Sequence, residues 1–162
     1  IFTQKIGLDL QGIYPYYGAT GILDYLNYYS FDGRYLLIAE DGSVINEDGT
    51  PVVQLVDGKF CVSNHAHVLK GINNVSTELL YIYFKQLKIR PYITGSVQLK
   101  LSQSNLKQIP FILPDAITLN KCNILVKYIF DKVQNNLEEN LTLSQLRDTL
   151  LPKLISGEIR VM

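Results

Sequence analysis

Residues 29–62 read YSFDGRYLLIAEDGSVINEDGTPVVQLVDGKFCV and contain four Asp-Gly pairs. The pairs begin at Asp32, Asp41, Asp48 and Asp57, so they recur every seven to nine residues. Asp-Gly suits the positive φ angles of tight turns, and the runs between the pairs are rich in β-branched and aromatic residues. The pattern therefore predicts a β-meander that continues into residues 65–69. Its expected strands are residues 35–39, 43–45, 52–56 and 60–62.

Downstream of the meander, the sequence predicts one short helix and two more strands. Thr77 can cap a helix that ends near Leu87, because apolar residues recur within it at three- and four-residue steps. Residues 97–101 alternate between apolar and polar side chains, which is typical of a half-buried strand. Residues 109–113 form a further apolar run, which we expect to be a short strand. Residues 1–114 should thus form an α+β (mixed α/β) domain with an antiparallel-rich sheet.

After Pro114 the pattern becomes helical. Glycine is absent until Gly157, and apolar residues recur at alternating three- and four-residue steps, as they do along the contact face of a coiled coil. We expect residues 115–162 to form a long coiled-coil-like helix that ends at Gly157. The predicted helix-packing positions are Leu119, Cys122, Val126, Ile129, Val133, Leu143, Leu146 and Leu150.

The continuity of this helix is open from sequence alone. Asn136 and Asn140 interrupt the apolar stripe, and Thr142 with Gln145 matches a capping box, which allows a break near Asn140. A continuous helix would be roughly 60 Å long. A small domain cannot cover such a length, so the apolar stripe would need a second helix from another copy, another part of the same chain or a partner subunit. The alternative is a helical hairpin.

Composition is that of a folded chain. Of the 162 residues, 47% are hydrophobic and 19% are charged, which suits one domain with a helical arm. No apolar run approaches the roughly 18 residues that cross a bilayer, so we expect a soluble protein. Cys61 and Cys122 have neither disulfide nor metal-ligand spacing, which favours a reducing, cytoplasmic location.

Charge is unevenly distributed although the formal net charge is zero. Residues 1–80 carry four basic and nine acidic side chains, whereas residues 81–120 carry five basic and one acidic. The five basic residues are interleaved with tyrosines, a pattern that fits either a solvated face or a nucleic-acid surface. Zero net charge speaks against tight binding of nucleic acid by this chain alone.

Motifs of catalysis are sparse. The sequence contains no phosphate-binding glycine loop, no hydrolase nucleophile motif and no zinc-protease motif, and we expect no cofactor. His65 and His67 would lie on one side of a strand, and a zinc site would need Glu40 or Asp41 as a third ligand. We expect these to be structural histidines and no metal site, with a small metal-dependent hydrolase as an alternative.

Residues 90–100 read RPYITGSVQLK and form the richest polar stretch. Arg can bind guanine and Gln adenine through paired hydrogen bonds in the major groove, while Thr, Ser and Lys can bind phosphates. The stretch therefore suits DNA reading, although an ordinary polar surface loop has the same composition. The candidate DNA-binding residues are Tyr16, Tyr17, Lys85, Lys88, Arg90, Thr94, Ser96, Gln98 and Lys100.

Several stretches resemble the specificity subunits of type I restriction–modification systems. YPYYGATGILDYLNYYSFDGRYLLIAEDG, residues 14–42, resembles the early part of their target-recognition domain, and CVSNHAHVLKG, residues 61–71, is also typical. YITGSVQLKLSQSNLKQIPFILP, residues 92–114, resembles the last strands of that domain, and LTLSQLRDTLLPKLISGEIRV, residues 141–161, resembles the end of its helical spacer. The resemblance covers nearly the whole chain in the family's order.

The resemblance implies a non-catalytic subunit that recognises double-stranded DNA and directs methyltransferase and restriction subunits to a split target. A complete family member carries two recognition domains and two antiparallel spacer helices, whereas this chain has one of each. We therefore expect either a fragment or a half-length subunit that dimerises through its helix. The chain also begins later than a family domain normally does, so its first strand should be missing. The competing interpretation is an oligomerisation scaffold that does not bind DNA.

Overall fold

The structure, a computed structural model, describes residues 12–159. Within that range it forms seven strands: β1 Tyr14–Tyr17, β2 Ile22–Leu26, β3 Phe31–Asp32, β4 Tyr35–Ala39, β5 Val53–Val56, β6 Lys59–Val62 and β7 Ala66–Leu69. Its helices are α1 Thr77–Gln86, a 3-10 helix Arg90–Tyr92, α2 Gln103–Leu106 and α3 Ala116–Ile155. The predicted α+β class with a long C-terminal helix is confirmed. The expected loss of an N-terminal strand concerns the start of the chain, outside the described residues.

Two sheets replace the single predicted meander. One has the strand order β2-β1-β6-β3 and the other β5-β4-β7. All strand pairs are antiparallel except β1 with β6. The meander prediction is wrong at Asp57-Gly58, where β5 and β6 follow each other in sequence but enter different sheets.

Strand β4 separates the two hydrophobic clusters of the domain. Side chains alternate along a strand. Leu36 and Ile38 therefore join the first hydrophobic cluster, with Phe84 of α1, while Leu37 joins the second hydrophobic cluster, with Phe60 of β6. Leu36, Leu37 and Ile38 are fully buried. Both faces of β4 need apolar cover. Strand β6 belongs to the other sheet and covers one of these faces, where Phe60 packs against Leu37.

The four Asp-Gly turns form as predicted. Gly33, Gly42, Gly49 and Gly58 all have positive φ angles, between 75° and 117°. The expected strand at residues 43–45 is absent, since only Ile45 makes a β-bridge there. The Asp48-Gly49 turn instead closes that loop.

Helix α1 begins one residue earlier than its predicted cap implies. The Ser76 hydroxyl, not that of Thr77, accepts a hydrogen bond from the Leu79 amide and caps the helix. The Thr77 hydroxyl accepts from the Gly71 amide at 3.1 Å. The helix packs on β4 and β5.

Residues 97–101 and 109–113 are not strands, which corrects both predictions. Gly95 takes a φ of 89° and turns the chain, so that Val97 is 98% exposed while Leu101 is fully buried. A strand would have placed these two side chains on one face. Residues 109–113 contain Pro110 and end at Pro114, and a proline has no N–H to donate to a neighbouring strand.

Helix α3 is continuous for 40 residues, so the hairpin alternative is wrong. Asp115 caps its first turn by accepting from the Ile117 and Thr118 amides. The Thr142 hydroxyl donates to the Glu138 carbonyl within the helix and caps nothing. Gly157, with a φ of 76°, terminates the helix as predicted.

The chain divides into two compact units, one up to Asn123 and one from Ile124 onward. The first unit contains both sheets, α1, α2 and the first two turns of α3. The second contains the remainder of α3. No helix among residues 12–159 is sufficiently long and apolar to cross a membrane.

Candidate nucleic-acid interface

Residues 94–100, called the 94–100 loop below, form a narrow loop with a fixed stem. The Thr94 amide donates to the Lys100 carbonyl at 2.9 Å, and the Lys100 amide donates back at 2.8 Å. A Cβ added to Gly95 would lie 2.1 Å from the Gln98 carbonyl oxygen, so the turn needs glycine. Ser96, Val97 and Gln98 are exposed at the tip.

The end of β4 anchors this stem to the domain. The Gly42 amide donates to the Leu99 carbonyl at 3.1 Å, and the Leu101 amide donates to the Glu40 carbonyl at 2.7 Å. Ile93 and Leu99 pack on the first hydrophobic cluster. The 94–100 loop therefore has a rigid base and an exposed polar tip, which is the geometry that a segment contacting DNA bases needs.

Acidic residues pair with two of the basic side chains in this region. Lys100 Nζ lies 3.2 Å from Glu40 Oε1, and Lys88 Nζ lies 3.2 Å from Asp48 Oδ2. The second pair is well exposed, and hydrogen bonds from Thr50, followed by that from Lys88, lower the pKa of Asp48 to about 2. Exposed pairs of this kind contribute little to stability.

Two further cations differ in their surroundings. Arg90 is exposed on the 3-10 helix, and within residues 12–159 its side chain has no ion pair or hydrogen bond. Lys85 lies over the ring of Tyr81, with Nζ 5.6 Å from its centroid. The predicted residues Arg90, Thr94, Ser96, Gln98 and Lys100 thus come together as one exposed segment.

The two tyrosines predicted to bind DNA, Tyr16 and Tyr17, lie on β1 of the four-stranded sheet. Tyr17 belongs to the second hydrophobic cluster and makes an edge-on contact with Phe60, 5.8 Å between ring centroids. Burial, followed by the nearby Tyr25, raises the pKa of Tyr17. Tyr16 is half-buried and pairs in register with Cys61. The adjoining GATG turn is closed by a hydrogen bond from the Gly18 amide to the Gly21 carbonyl.

His65 and His67 do approach the carboxylates named from the sequence. His65 Nδ1 lies 2.9 Å from Asp41 Oδ1, and His67 Nδ1 lies 3.8 Å from Glu40 Oε2. Among the described residues, however, no three such side chains converge on a point where a metal ion could sit. His67 Nε2 bonds instead to the Leu101 carbonyl at 2.7 Å. Sequence reasoning missed this contact with the stem.

The predicted helix-packing residues fall on two faces of α3. At about 100° per residue, Leu119, Cys122, Val126, Ile129 and Val133 centre on a direction roughly 100° from that of Leu143, Leu146 and Leu150. A first stripe continues from the former group through Leu137, Leu141, Leu151 and Ile155, while a second stripe joins Leu125 and Tyr128 to the latter group. The later members of both stripes are about half exposed, for example Val133 at 50%, Leu137 at 57% and Leu146 at 50%.

Comparison with known protein families identifies the family of this chain. The sequence profile of the type I restriction modification DNA specificity domain matches residues 2–143. The chain belongs to this family. The prediction made from its motifs is confirmed.

Curated relatives carry the same description. A putative type I restriction enzyme specificity subunit of Haemophilus influenzae is 38% identical over 110 residues, which cover 68% of this chain and 28% of that protein. The specificity subunit of the type I restriction enzyme MjaIX from Methanocaldococcus jannaschii is 32% identical over 112 residues, covering 67% of this chain and 26% of that protein. The matched region thus spans about a quarter of each relative's length.

Proposed function

We propose that this chain recognises one half of a split double-stranded DNA target as the specificity subunit, or half-subunit, of a type I restriction–modification complex. Residues 1–114 would be the recognition domain and residues 115–162 the helical spacer. The observation that carries the proposal is the 94–100 loop, an exposed polar tip on a rigid stem in a member of this family. Methyltransferase and restriction subunits would supply the chemistry, so this chain itself would be non-catalytic and would need no cofactor.

The polar side chains of residues 90–100 divide by chemistry into those that read bases and those that bind phosphates. Arg90 and Gln98 have the paired donors, or the donor and acceptor, that bind guanine and adenine edges. Thr94, Ser96 and Lys100 have the small or cationic groups that bind phosphates and fix the register of the protein on the duplex. Lys85 on α1 and Lys88, just after that helix, would extend the phosphate contact. On β1, Tyr16 would contact the duplex and Tyr17 would support the strand from within.

Electrostatics limits the affinity of the isolated chain. Lys88 and Lys100 face acidic partners in the absence of DNA, and the formal net charge is zero. Phosphates would have to replace Asp48 and Glu40, so the loss of these two ion pairs offsets part of the electrostatic gain from phosphate binding. Tight binding would therefore require the methyltransferase subunits.

A binding titration tests the DNA-reading role. The full chain, assembled with its methyltransferase subunits, should bind its target duplex more tightly than a scrambled duplex. Replacing both Arg90 and Gln98 with alanine should remove most of this preference, since each good bidentate contact contributes about 1–3 kcal/mol. Lys59→Ala, on β6, is the matched control and should bind normally. Undiminished preference in the double variant would exclude both residues from base reading.

The apolar surface of α3 supports assembly through the helix. We propose that the first stripe packs against a second spacer helix, supplied either by another copy or by another half of the same subunit, and that the second stripe meets a methyltransferase subunit. Leucine and isoleucine side chains half exposed over 30 residues are typical of a helix that has its partners elsewhere. If two identical copies pair, the target should be palindromic, because half-site symmetry mirrors protein symmetry.

A scaffold that binds no DNA is the second candidate, favoured by the zero net charge together with the exposed helix. The same titration separates the two, because a scaffold would hold the methyltransferase subunits together and show no duplex preference at any salt concentration.

A further inference from the structure

We propose that His67 is a positioning residue for DNA reading, which holds the stem of the 94–100 loop without touching DNA. The inference rests on the function proposed above and deepens it. It assigns a role to a histidine that lies outside the polar segment.

His67 lies on β7, where it pairs with Ile38 of β4. Its side chain is only 10% exposed, which leaves little surface for a contact with a duplex. Its Nε2 atom is 2.7 Å from the Leu101 carbonyl oxygen. A carbonyl oxygen can only accept, so Nε2 carries the proton and donates it.

The bond completes the fixation of Leu101, the residue at which the loop enters the core. The Leu101 amide donates to the Glu40 carbonyl, directly after β4, and its carbonyl accepts from His67 of β7, so both backbone groups are held. Its side chain is fully buried. The stem therefore cannot shift unless one of these bonds breaks.

Glu40 links this fixation to the loop's own cation. Its Oε1 atom lies 3.2 Å from Lys100 Nζ, and its Oε2 atom lies 3.8 Å from His67 Nδ1. One carboxylate thus stands between the histidine behind the stem and the lysine on it. If DNA replaces Glu40 at Lys100, the hydrogen bond from His67 still holds the backbone of the stem in place.

Loss of this hydrogen bond should harm discrimination more than affinity. Base readers must be placed to within a fraction of an ångström, whereas phosphate contacts tolerate small movements and carry no sequence information. A loosened stem would leave phosphate binding intact and misplace Gln98. Sequence preference should fall while binding to unrelated DNA stays the same.

The matched variants are His67→Gln and His67→Asn, two amides that differ by one methylene. Glutamine can bring an amide N–H to about the position of Nε2, whereas asparagine is too short to reach the Leu101 carbonyl. In the complex with methyltransferase subunits, we expect His67→Asn to lower the ratio of target to scrambled-duplex affinity about tenfold. His67→Gln should stay within about threefold of the native ratio, and binding to scrambled duplex should not change in either variant.

Hydrogen exchange of the DNA-free chain provides the independent readout. The amides of Thr94 and Lys100 should exchange about tenfold faster in His67→Asn than in His67→Gln, while the amides of β4 remain protected. If stem exchange is unchanged, or if it rises without loss of discrimination, the positioning role is overturned. A native complex without duplex preference would overturn the proposed function instead, and hydrogen exchange would still report whether His67 holds the stem.

If His67→Asn fails to fold, His67→Phe takes its place. This variant keeps an aromatic ring at the position and has no N–H to donate to the Leu101 carbonyl. The expected result is a loss of discrimination in the same direction as in His67→Asn. An unchanged ratio in a folded His67→Phe variant would overturn the proposal.

Discussion

Strand β4 and helix α3 contain the same kinds of side chain in opposite surroundings. Leu36, Leu37 and Ile38 of β4 have no exposed surface, whereas Val133 and Leu146 of α3 are each 50% exposed. Strand β4 has apolar partners on both faces, in the two hydrophobic clusters. Helix α3 carries a surplus of apolar surface along two faces. The first region therefore stabilises the fold, whereas the second leaves apolar surface available for the contacts proposed above.

The largest expected effect is a loss of stability when a buried side chain of β4 is truncated. Leu37→Ala should destabilise the chain by about 2–5 kcal/mol, because the substitution leaves a cavity in the cluster that Leu37 forms with Phe60. Val133→Ala, on α3, should change the stability of the isolated chain by less than about 0.5 kcal/mol. Urea unfolding measures both. Equal losses would mean that the exposed face of α3 is already covered in the isolated chain.

The next effect concerns the two stripes of α3. Leu137→Asp and Leu146→Asp each place a charge on one stripe, which should cost roughly 2 kcal/mol of association where that face is buried, or about thirtyfold in affinity. Analytical ultracentrifugation with and without methyltransferase subunits measures the result. Leu137→Asp should weaken pairing of spacer helices, and Leu146→Asp should weaken binding of the methyltransferase. Identical defects would show that both stripes serve one interface.

A smaller effect distinguishes the loop tip from an ordinary turn. Gly95→Ala combines a positive φ with a clash at the Gln98 carbonyl, so it should weaken target binding about tenfold. Gly58→Ala has a similar φ of 85° and open space around its Cβ, so it carries the backbone strain alone. Gly58→Ala should cost about 1 kcal/mol in stability, and Gly95→Ala should cost more because of the added clash. Loss of target binding in the Gly58 variant as well would assign the defect to strain and not to loop shape.

The smallest effect is the pH dependence of the Asp48 turn. The pKa of Asp48 is lowered to about 2 from an ordinary value of 3.8. A lowered pKa in the folded state gives stability that is fully present above the ordinary value and is lost as the pH falls through about 4 to about 2. The urea midpoints of the native chain and Asp48→Asn should therefore converge as the pH falls across this range. A constant difference from pH 6 to pH 2 would contradict this role for the Asp48 carboxylate.

Local and periodic features were predictable from sequence. The Asp-Gly turns depend on the φ preferences of a single residue, and α3 depends on a spacing repeated over 40 residues. The division into two sheets was not predictable, because the hairpin rhythm fixes where β5 ends and not which strand Phe60 joins. Residues 97–101 alternate as a strand does, yet Gly95 and the exposed Val97 make them part of a loop.

The polar segment at residues 90–100 could be predicted from its composition, but the contacts that hold it in place could not. Arg90, Thr94 and Gln98 stand close together in sequence, so their chemistry is visible there. His67 and Leu101 are 34 residues apart, and only the fold brings the imidazole to the stem. The family resemblance includes residues 61–71, which contain His67, but it does not assign His67 a role.

Sequencing of modified bases tests DNA reading most directly. Genomes should be compared from host cells with the intact gene, without the gene, and with Arg90 and Gln98 both replaced by alanine. We predict that one methylation motif disappears when the gene is deleted and is lost or degenerate at the affected half-site in the double variant, while Lys59→Ala leaves it intact. A methylation pattern that is identical in all four strains would contradict the assignment of this chain as the reading subunit.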